Sequence, residues 1–180
     1  LLIDTAPELR LQCLASDIRC IHAVLYTHHH IDHLAGLDDL RRFNWLQSGP
    51  IPCYAEDATI DRLRTMFAYV FEHDPDYPSA KPNLLLQRID GPFEFGGRTI
   101  TPIRLLHGKL PILGYRIGNF AYCTDVSEIP RESWSLLQDL DLLILDALRK
   151  RPHPTHFNLE QAVEHARRIG AKRTLFTHIA

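Results

Sequence analysis

Short apolar runs alternate along the chain with longer stretches in which apolar positions recur at helical spacing. Leu1–Ile3, Ala23–Thr27, Ile51–Ala55, Leu84–Ile89, Arg98–Leu106, Ile112–Ile117, Phe120–Thr124, Asp141–Asp146 and Arg173–Thr177 read as strands. Between them lie predicted helices. One runs from Pro7 to Ala15, with Pro7 in its first turn, and one from Leu37 to Gln47, stopped by Ser48-Gly49-Pro50. Asp57 is placed to cap a helix reaching Phe71, and Pro130 to open one reaching about Leu140. Asn158 with Gln161 forms a capping-box pattern for a helix that Gly170 ends after Ile169. The proline-containing stretch Glu72–Asn83 reads as a loop, placed to cover a site entrance. Gly96-Gly97 and Gly118-Asn119 read as hairpin turns. Strands and helices alternate at both ends around a central run of hairpins, which predicts a layered α/β sandwich with a mixed sheet.

At 180 residues the chain is expected to be one domain, residues 1–180. It carries no repeat and no linker-like tract. Both termini read as cut from a longer protein, because Leu1-Leu2-Ile3 starts directly as a strand and Ala180 follows closely on another. A net charge of −2 gives no global electrostatic case for nucleic acid or an anionic membrane, and no apolar run is long enough to span a bilayer. Cys13, Cys20, Cys53 and Cys123 show no C-x-x-C spacing, so reduced thiols in a cytoplasmic compartment are expected. The eleven histidines change the picture more, because they cluster.

Six predicted strands end in a metal-ligating or ligand-orienting residue: Asp4, His28, His107, Asp125, Asp146 and His178. Where strands share a direction, their carboxyl ends meet along one edge, where α/β sheets place their sites. In extended backbone His28 and His30 project to the same side and can grip one cation, while Asp32 and His33 lie a turn further on and can reach a second. His107 is available to complete the first site, His178 the second, and Asp125 to bridge them. Imidazole nitrogen with carboxylate oxygen suits zinc best, with manganese or iron(II) acceptable, and two such ions can hold a hydroxide for attack. An affinity-tag origin for His28-His29-His30 is a poor account of a run that is internal and followed by Ile31-Asp32-His33. His22, His73 and His165 read as ordinary surface or hydrogen-bonded residues.

The segment His28-His29-His30-Ile31-Asp32-His33 resembles the H-x-H-x-D-H signature of the metallo-β-lactamase superfamily, with His107, Asp125 and His178 in the expected order. Within it, several stretches are similar to PhnP-like phosphodiesterases, which open phosphoribosyl cyclic phosphates. These are His107-Gly108, Leu113-Gly114-Tyr115-Arg116, Tyr122 to Ser127, Leu145 to Arg149, His153-Pro154-Thr155-His156-Phe157 and Ala171 to His178. The resemblance implies an αββα sandwich with mixed sheets. It implies one ion on His28, His30 and His107, another on Asp32, His33 and His178, Asp125 bridging, and His156 as the catalytic histidine near the leaving oxygen, with Asp32 helping to position the hydroxide. A small phosphate-ester substrate follows, with neither membrane nor nucleic acid as partner and room for a homodimer. The N-terminal strands, the glycine-rich opening and the segment beyond His178 are absent from the pattern. Leu145-Asp146-Ala147-Leu148 stands where tRNA 3′-processing endonucleases carry His-Glu-Ala-Thr. That endonuclease, a non-catalytic metal-binding domain of the same fold, and a thioesterase or lactonase are the competing readings. Arg116, Arg149 and His153 are further candidates to meet substrate, and the aromatic residues Phe67, Tyr69 and Phe71 to shape its choice.

Overall fold

The computed structural model describes residues 1–180. The chain divides into two compact units, 1–90 and 91–180, each with its own sheet and apolar core.

In the first unit a four-stranded sheet runs in the order β1 (Leu2–Ile3), β2 (Val24–Leu25), β3 (Ile51–Ala55), β4 (Leu84–Arg88), and every neighbouring pair is parallel. Val24 and Leu25 are fully buried, the pattern of a strand covered on both faces. The core also takes Leu9 and Cys13 from α1 (Leu9–Ala15), Leu34 from α2 (Ile31–Leu34), Leu40 and Phe43 from α3 (Leu40–Gln47), and Ile60 and Leu63 from α4 (Asp57–Met66). Each fully buried leucine contributes about 2 kcal/mol of transfer free energy. The buried Tyr26 hydroxyl shares a hydrogen bond with Thr5 Oγ1 at 3.2 Å, so the ring enters the core without an unsatisfied polar atom.

Two helix expectations change here. The stretch from Leu37 begins as a 3-10 helix, Ala35–Asp39, and becomes α-helical only at Leu40. Gly36 lies so close to the chain at Ala6 that a Cβ would come within 2.2 Å of the Ala6 carbonyl oxygen, and this tight approach sets the turn. The helix expected to run from Asp57 to Phe71 breaks at Phe67 (φ −118°, ψ 43°) into α4 and α5 (Ala68–Phe71). The break turns Val70 into the same core, with Phe67, Tyr69 and Phe71 packed against it. Glu56, not Asp57, is the N-cap residue, and no side-chain cap bond forms. The 72–83 loop has no regular structure and is pinned to its own unit. Arg41 donates to Ala80 O (3.0 Å), Asn44 Nδ2 to Asn83 O (2.8 Å), and Lys81 Nζ to Glu72 O (2.7 Å).

The second unit holds a six-stranded mixed sheet in the order β10 (Arg173–Thr177), β9 (Leu142–Asp146), β8 (Phe120–Cys123), β7 (Leu110–Ile117), β6 (Arg98–His107), β5 (Phe93–Phe95). Strands β8, β9 and β10 are mutually parallel. Because β7 is antiparallel to both β6 and β8, β6 shares their direction. Four strands therefore release their carboxyl ends along one edge. The first hairpin arm, β5, is too short to stand out in the sequence. It pairs with β6 across Gly96-Gly97, where both residues have positive φ, as a two-residue turn of this hand requires. α6 (Leu159–Ile169) carries the expected capping box: the Asn158 side chain accepts from the Gln161 amide at 2.8 Å, and Gln161 answers at 3.0 Å.

The helix expected after Pro130 is instead a 3-10 helix, Arg131–Leu137. Arg116 donates to the carbonyls of Leu136 and Gln138, both at 2.8 Å, satisfying carbonyls at the end of this short helix, and to Gly118 O at 2.8 Å. This also corrects the phosphate-binding reading of Arg116, whose guanidinium is committed to backbone. The α/β expectation with a mixed sheet agrees with the structure. No helix is long and apolar enough to cross a membrane.

Candidate metal centre

Within the first unit, parallel β1 and β2 end side by side, and the residues that follow them form one hydrogen-bonded group. Asp4, at φ 59°, turns out of β1 and is buried. Its Oδ1 accepts from the Thr27 amide at 2.8 Å, and its Oδ2 accepts from the Thr27 hydroxyl at 2.8 Å and from His33 Nδ1 at 2.7 Å. Burial raises the Asp4 pKa above the usual carboxylate value, opposed by its contacts with His33 and Thr27. Thr27 gives its only hydroxyl proton to Asp4, so at the 3.0 Å contact with His28 Nδ1 it can only accept. His28 and His33 thus both carry their proton on Nδ1 and present an Nε2 lone pair, the form a ligating histidine takes when its other nitrogen is held.

The expected ligands of this unit lie together. The His28 ring centroid is 4.6 Å from that of His30 and 4.2 Å from that of His33, and Asp32 Oδ2 is 3.4 Å from His33 Nε2. His28 and His33 are 2% and 6% exposed, while the Asp32 side chain is half-exposed. α2 begins at Ile31 and brings Asp32 and His33 round its single turn. Ile31 points outward, and His29 lies with Ala58, Asp61, Arg62 and Thr65 in a shallow surface depression. Burial and then the nearby Arg62 lower the His29 pKa.

In the second unit the four co-directional strands deliver His107, Asp125, Asp146 and His178 to one edge. Asp125 (φ 56°) and His178 (φ 59°) repeat the left-handed turn seen at Asp4, a conformation Asp and His tolerate better than most residues. Asp125 Oδ1 accepts from the Thr124 hydroxyl at 2.6 Å, while its Oδ2 lies 3.4 Å from His178 Nε2 and 3.9 Å from His156 Nε2. Ligand atoms of Asp125, Asp146, His156 and His178 all fall within 4.8 Å of one another. The His107 ring is 4.5 Å from that of His156, and its Nδ1 donates to Thr155 O at 2.7 Å. His156 Nδ1 donates to Asp146 Oδ1 at 3.2 Å, and the other Asp146 oxygen accepts from the Phe157 amide at 2.9 Å. Asp146 is wholly buried.

The donor set of both units fits divalent first-row cations: imidazole Nε2 lone pairs fixed by Nδ1 hydrogen bonds, with carboxylate oxygens beside them. The strand-end carboxylates Asp4 and Asp146 and the histidines His33 and His156 are all legible in the sequence, but their pairing is not. The supporting Thr27, Thr124 and Thr155 went unmarked, although each immediately precedes or follows a candidate residue. Arg149 donates to Pro152 O at 3.3 Å and so braces the 149–153 loop.

A family model described as the beta-lactamase superfamily domain matches residues 1–179. A diphosphatase of the PhnP family, known from its crystal structure, is 40% identical with a TM-score of 0.89, over 99% of this chain and 68% of that one. Human tRNase Z, short form, superposes with a TM-score of 0.74 at 24% identity, over 98% of this chain and 80% of that one, a likeness of fold. An octanoyltransferase of Porphyromonas gingivalis (strain W83) is 39% identical over 183 residues. All of this chain is covered, but it spans only 36% of that curated relative.

Proposed function

This chain belongs to the β-lactamase superfamily, in its PhnP-like branch, and from that premise we propose that it is a metal-dependent hydrolase acting on a small phosphoric diester or anhydride, such as a phosphoribosyl cyclic phosphate. The observation that carries the reading is the Asp146–His156 pair at 3.2 Å, with His156 Nε2 turned toward Asp125 at 3.9 Å. His28, His30 and His107 are the proposed ligands of one divalent ion, and Asp32, His33 and His178 of a second, with Asp125 shared. Zinc suits this set, with manganese or iron(II) as acceptable occupants. Ions held by these residues would supply Lewis acidity, lowering the pKa of a bound water and drawing charge from phosphoryl oxygens.

The remaining steps belong to the chain. Asp32 orients the attacking water. Asp146 accepts from His156 Nδ1 and is itself fixed by the Phe157 amide, which stabilises the imidazolium and aims Nε2. Protonated, His156 gives the Nε2 proton to the departing oxygen, a transfer worth about 10²–10⁴ in rate. A cyclic phosphodiester and a diphosphate share the same reacting centre, a phosphorus between bridging oxygens. The name diphosphatase in the PhnP-family relative therefore supports this substrate class. The proposed substrate is small, with neither nucleic acid nor membrane as partner and room for a homodimer.

The test is a hydrolysis panel on metal-loaded full-length protein: bis-p-nitrophenyl phosphate, a phosphoribosyl cyclic phosphate, a diphosphate diester, a tRNA precursor and an acyl thioester. Turnover of the phosphoric substrates, with kcat falling about 10²–10⁴-fold in His156→Ala at unchanged metal content, is the expected outcome. Activity confined to the thioester overturns the proposal, and activity confined to the tRNA precursor replaces it with a nuclease.

A further inference from the structure

The histidines of the second unit divide by tautomer. A carbonyl oxygen can only accept, so His107, 2.7 Å from Thr155 O, carries its proton on Nδ1. His156 does the same against Asp146 Oδ1 at 3.2 Å. Both turn Nε2 toward the chemistry. His153 is the reverse. The Thr155 amide can only donate, and it points at His153 Nδ1 from 3.4 Å, while the Thr155 hydroxyl lies 3.1 Å from the same nitrogen. Nδ1 of His153 is therefore the acceptor, and the neutral ring carries its proton on Nε2. A histidine held this way is a poor ligand, because its one lone pair is occupied, but a ready hydrogen-bond donor.

Its position is firmly set. The His153 ring centroid is 5.1 Å from that of His156, tilted by 54°, and the ring is only partly exposed. Thr155, which fixes it, is locked from two other directions. The Thr155 carbonyl holds His107, and its Cγ2 occupies the space over Gly108, where a Cβ would approach to 2.8 Å. Pro152 and Pro154 stiffen the backbone on either side of His153.

We infer that His153 donates a hydrogen bond from Nε2 to the leaving group, and so selects substrates whose leaving group bears an oxygen acceptor close to the departing oxygen: a vicinal hydroxyl or a phosphoryl oxygen. The inference rests on the phosphoric-ester reading and narrows its substrate class. His156 protonates the departing oxygen, and the His153 ring, its centroid 5.1 Å from that of His156, is placed to meet an acceptor a few bonds from that oxygen. His153 keeps its proton throughout. Two cationic imidazoles at that separation would repel, whereas a neutral donor leaves the proton of His156 available. An aryl leaving group such as p-nitrophenolate offers no such acceptor.

Two measurements on the full-length protein test this. In the first, kcat/KM is compared for an oxygen-bearing leaving group (a phosphoribosyl cyclic phosphate or a diphosphate diester) and for bis-p-nitrophenyl phosphate. The ratio of the two is expected to fall about tenfold or more in His153→Phe, the size of one hydrogen bond to a charged oxygen, and to recover in part in His153→Gln, which keeps a donor. A ratio unchanged in both variants, with wild type active, overturns this inference alone. A wild-type protein inert toward every phosphoric substrate overturns it together with the reading beneath it. In the second measurement, nitrogen-15 NMR of the metal-free protein reads the His153 tautomer directly. A proton on Nε2 is expected, and a proton on Nδ1 overturns the inference whatever the kinetics.

Discussion

The two units supply candidate ligands by different means. In the first, six consecutive residues, His28 to His33, carry them, and one turn of helix spaces Asp32 and His33. In the second, His107, Asp125 and His178 are spread over most of the unit, and strand direction gathers them. Beneath that difference lies one shared device, a strand-end aspartate bonded to Nδ1 of a buried histidine. Asp4 holds His33 at 2.7 Å and Asp146 holds His156 at 3.2 Å. The partner's task differs: His33 is a candidate ligand, and His156 a candidate proton donor. The same pair of residue types can thus serve binding or turnover, depending on what the far nitrogen faces.

The strongest test removes the proposed shared ligand. Asp125→Asn is expected to lower turnover by about a thousandfold, the several kcal/mol that charge stabilisation by a metal contributes. Steady-state kinetics with metal analysis checks it, and near-normal turnover would remove Asp125 from the centre. Next comes the pair of aspartates. Asp4→Asn should weaken metal affinity about 10–100-fold, as loss of an outer carboxylate does. Asp146→Asn should instead reduce kcat by about 100-fold at retained metal content. Equal metal loss in both variants would break the division of labour.

Smaller effects compare the two folds. Gly36→Ala forces a Cβ to 2.2 Å from the Ala6 carbonyl, whereas Gly114→Ala meets the movable Leu105 side chain and the Tyr122 carbonyl, each at 2.8 Å. Denaturant unfolding should show a loss of about 3 kcal/mol or more for the first and about 1–3 for the second. The reverse order would mean that the 35–39 turn is freer than it looks.

The smallest effect is with pH. Burial pushes Cys53 in the first unit and Cys123 in the second up to about 12. An unfolded thiol ionises near about 8.5, so the thiols favour the folded state fully below that value, and the contribution is lost as pH rises through the window from about 8.5 to about 12. At pH 10 each thiol should cost about 2 kcal/mol relative to neutral pH. Urea unfolding from pH 7.5 to 10 should show this decline, and Cys53→Ala and Cys123→Ala should each flatten it by a similar share.

Much of this molecule was legible in its sequence, for reasons that are local. Ile51–Ala55 and Arg173–Thr177 form strands with the limits expected, and the strand expected at Asp141–Asp146 begins one residue later, at Leu142. The capping box at Asn158 needs only residues three apart, and it is present. Strand ends in His or Asp pointed to one edge, and the structure divides those strands between two sheets. What escaped depends on distant contacts. The break at Phe67 answers to the core, the 3-10 turn at 131–137 to an arginine on another strand, and the tautomer of His107 to a carbonyl 48 residues away. Residue type showed which atoms could bind a cation; only the fold showed which nitrogen each histidine turns toward it.

The left-handed turns at Asp4, Asp125 and His178 restrict how these positions can be varied, by evolution or by experiment. Each must satisfy a backbone rule as well as a chemical one, so valine or isoleucine is barred there even where its bulk would fit. Alanine scanning is a blunt instrument at such a place. It removes the functional group and also strains the chain by about 1–2 kcal/mol. Asparagine tolerates the turn, and at Asp4 and Asp125 it isolates the carboxylate charge as the quantity being measured. A drifting sequence has the same short menu of Asp, Asn, His and Gly, three of which bring a polar side chain to the end of the strand.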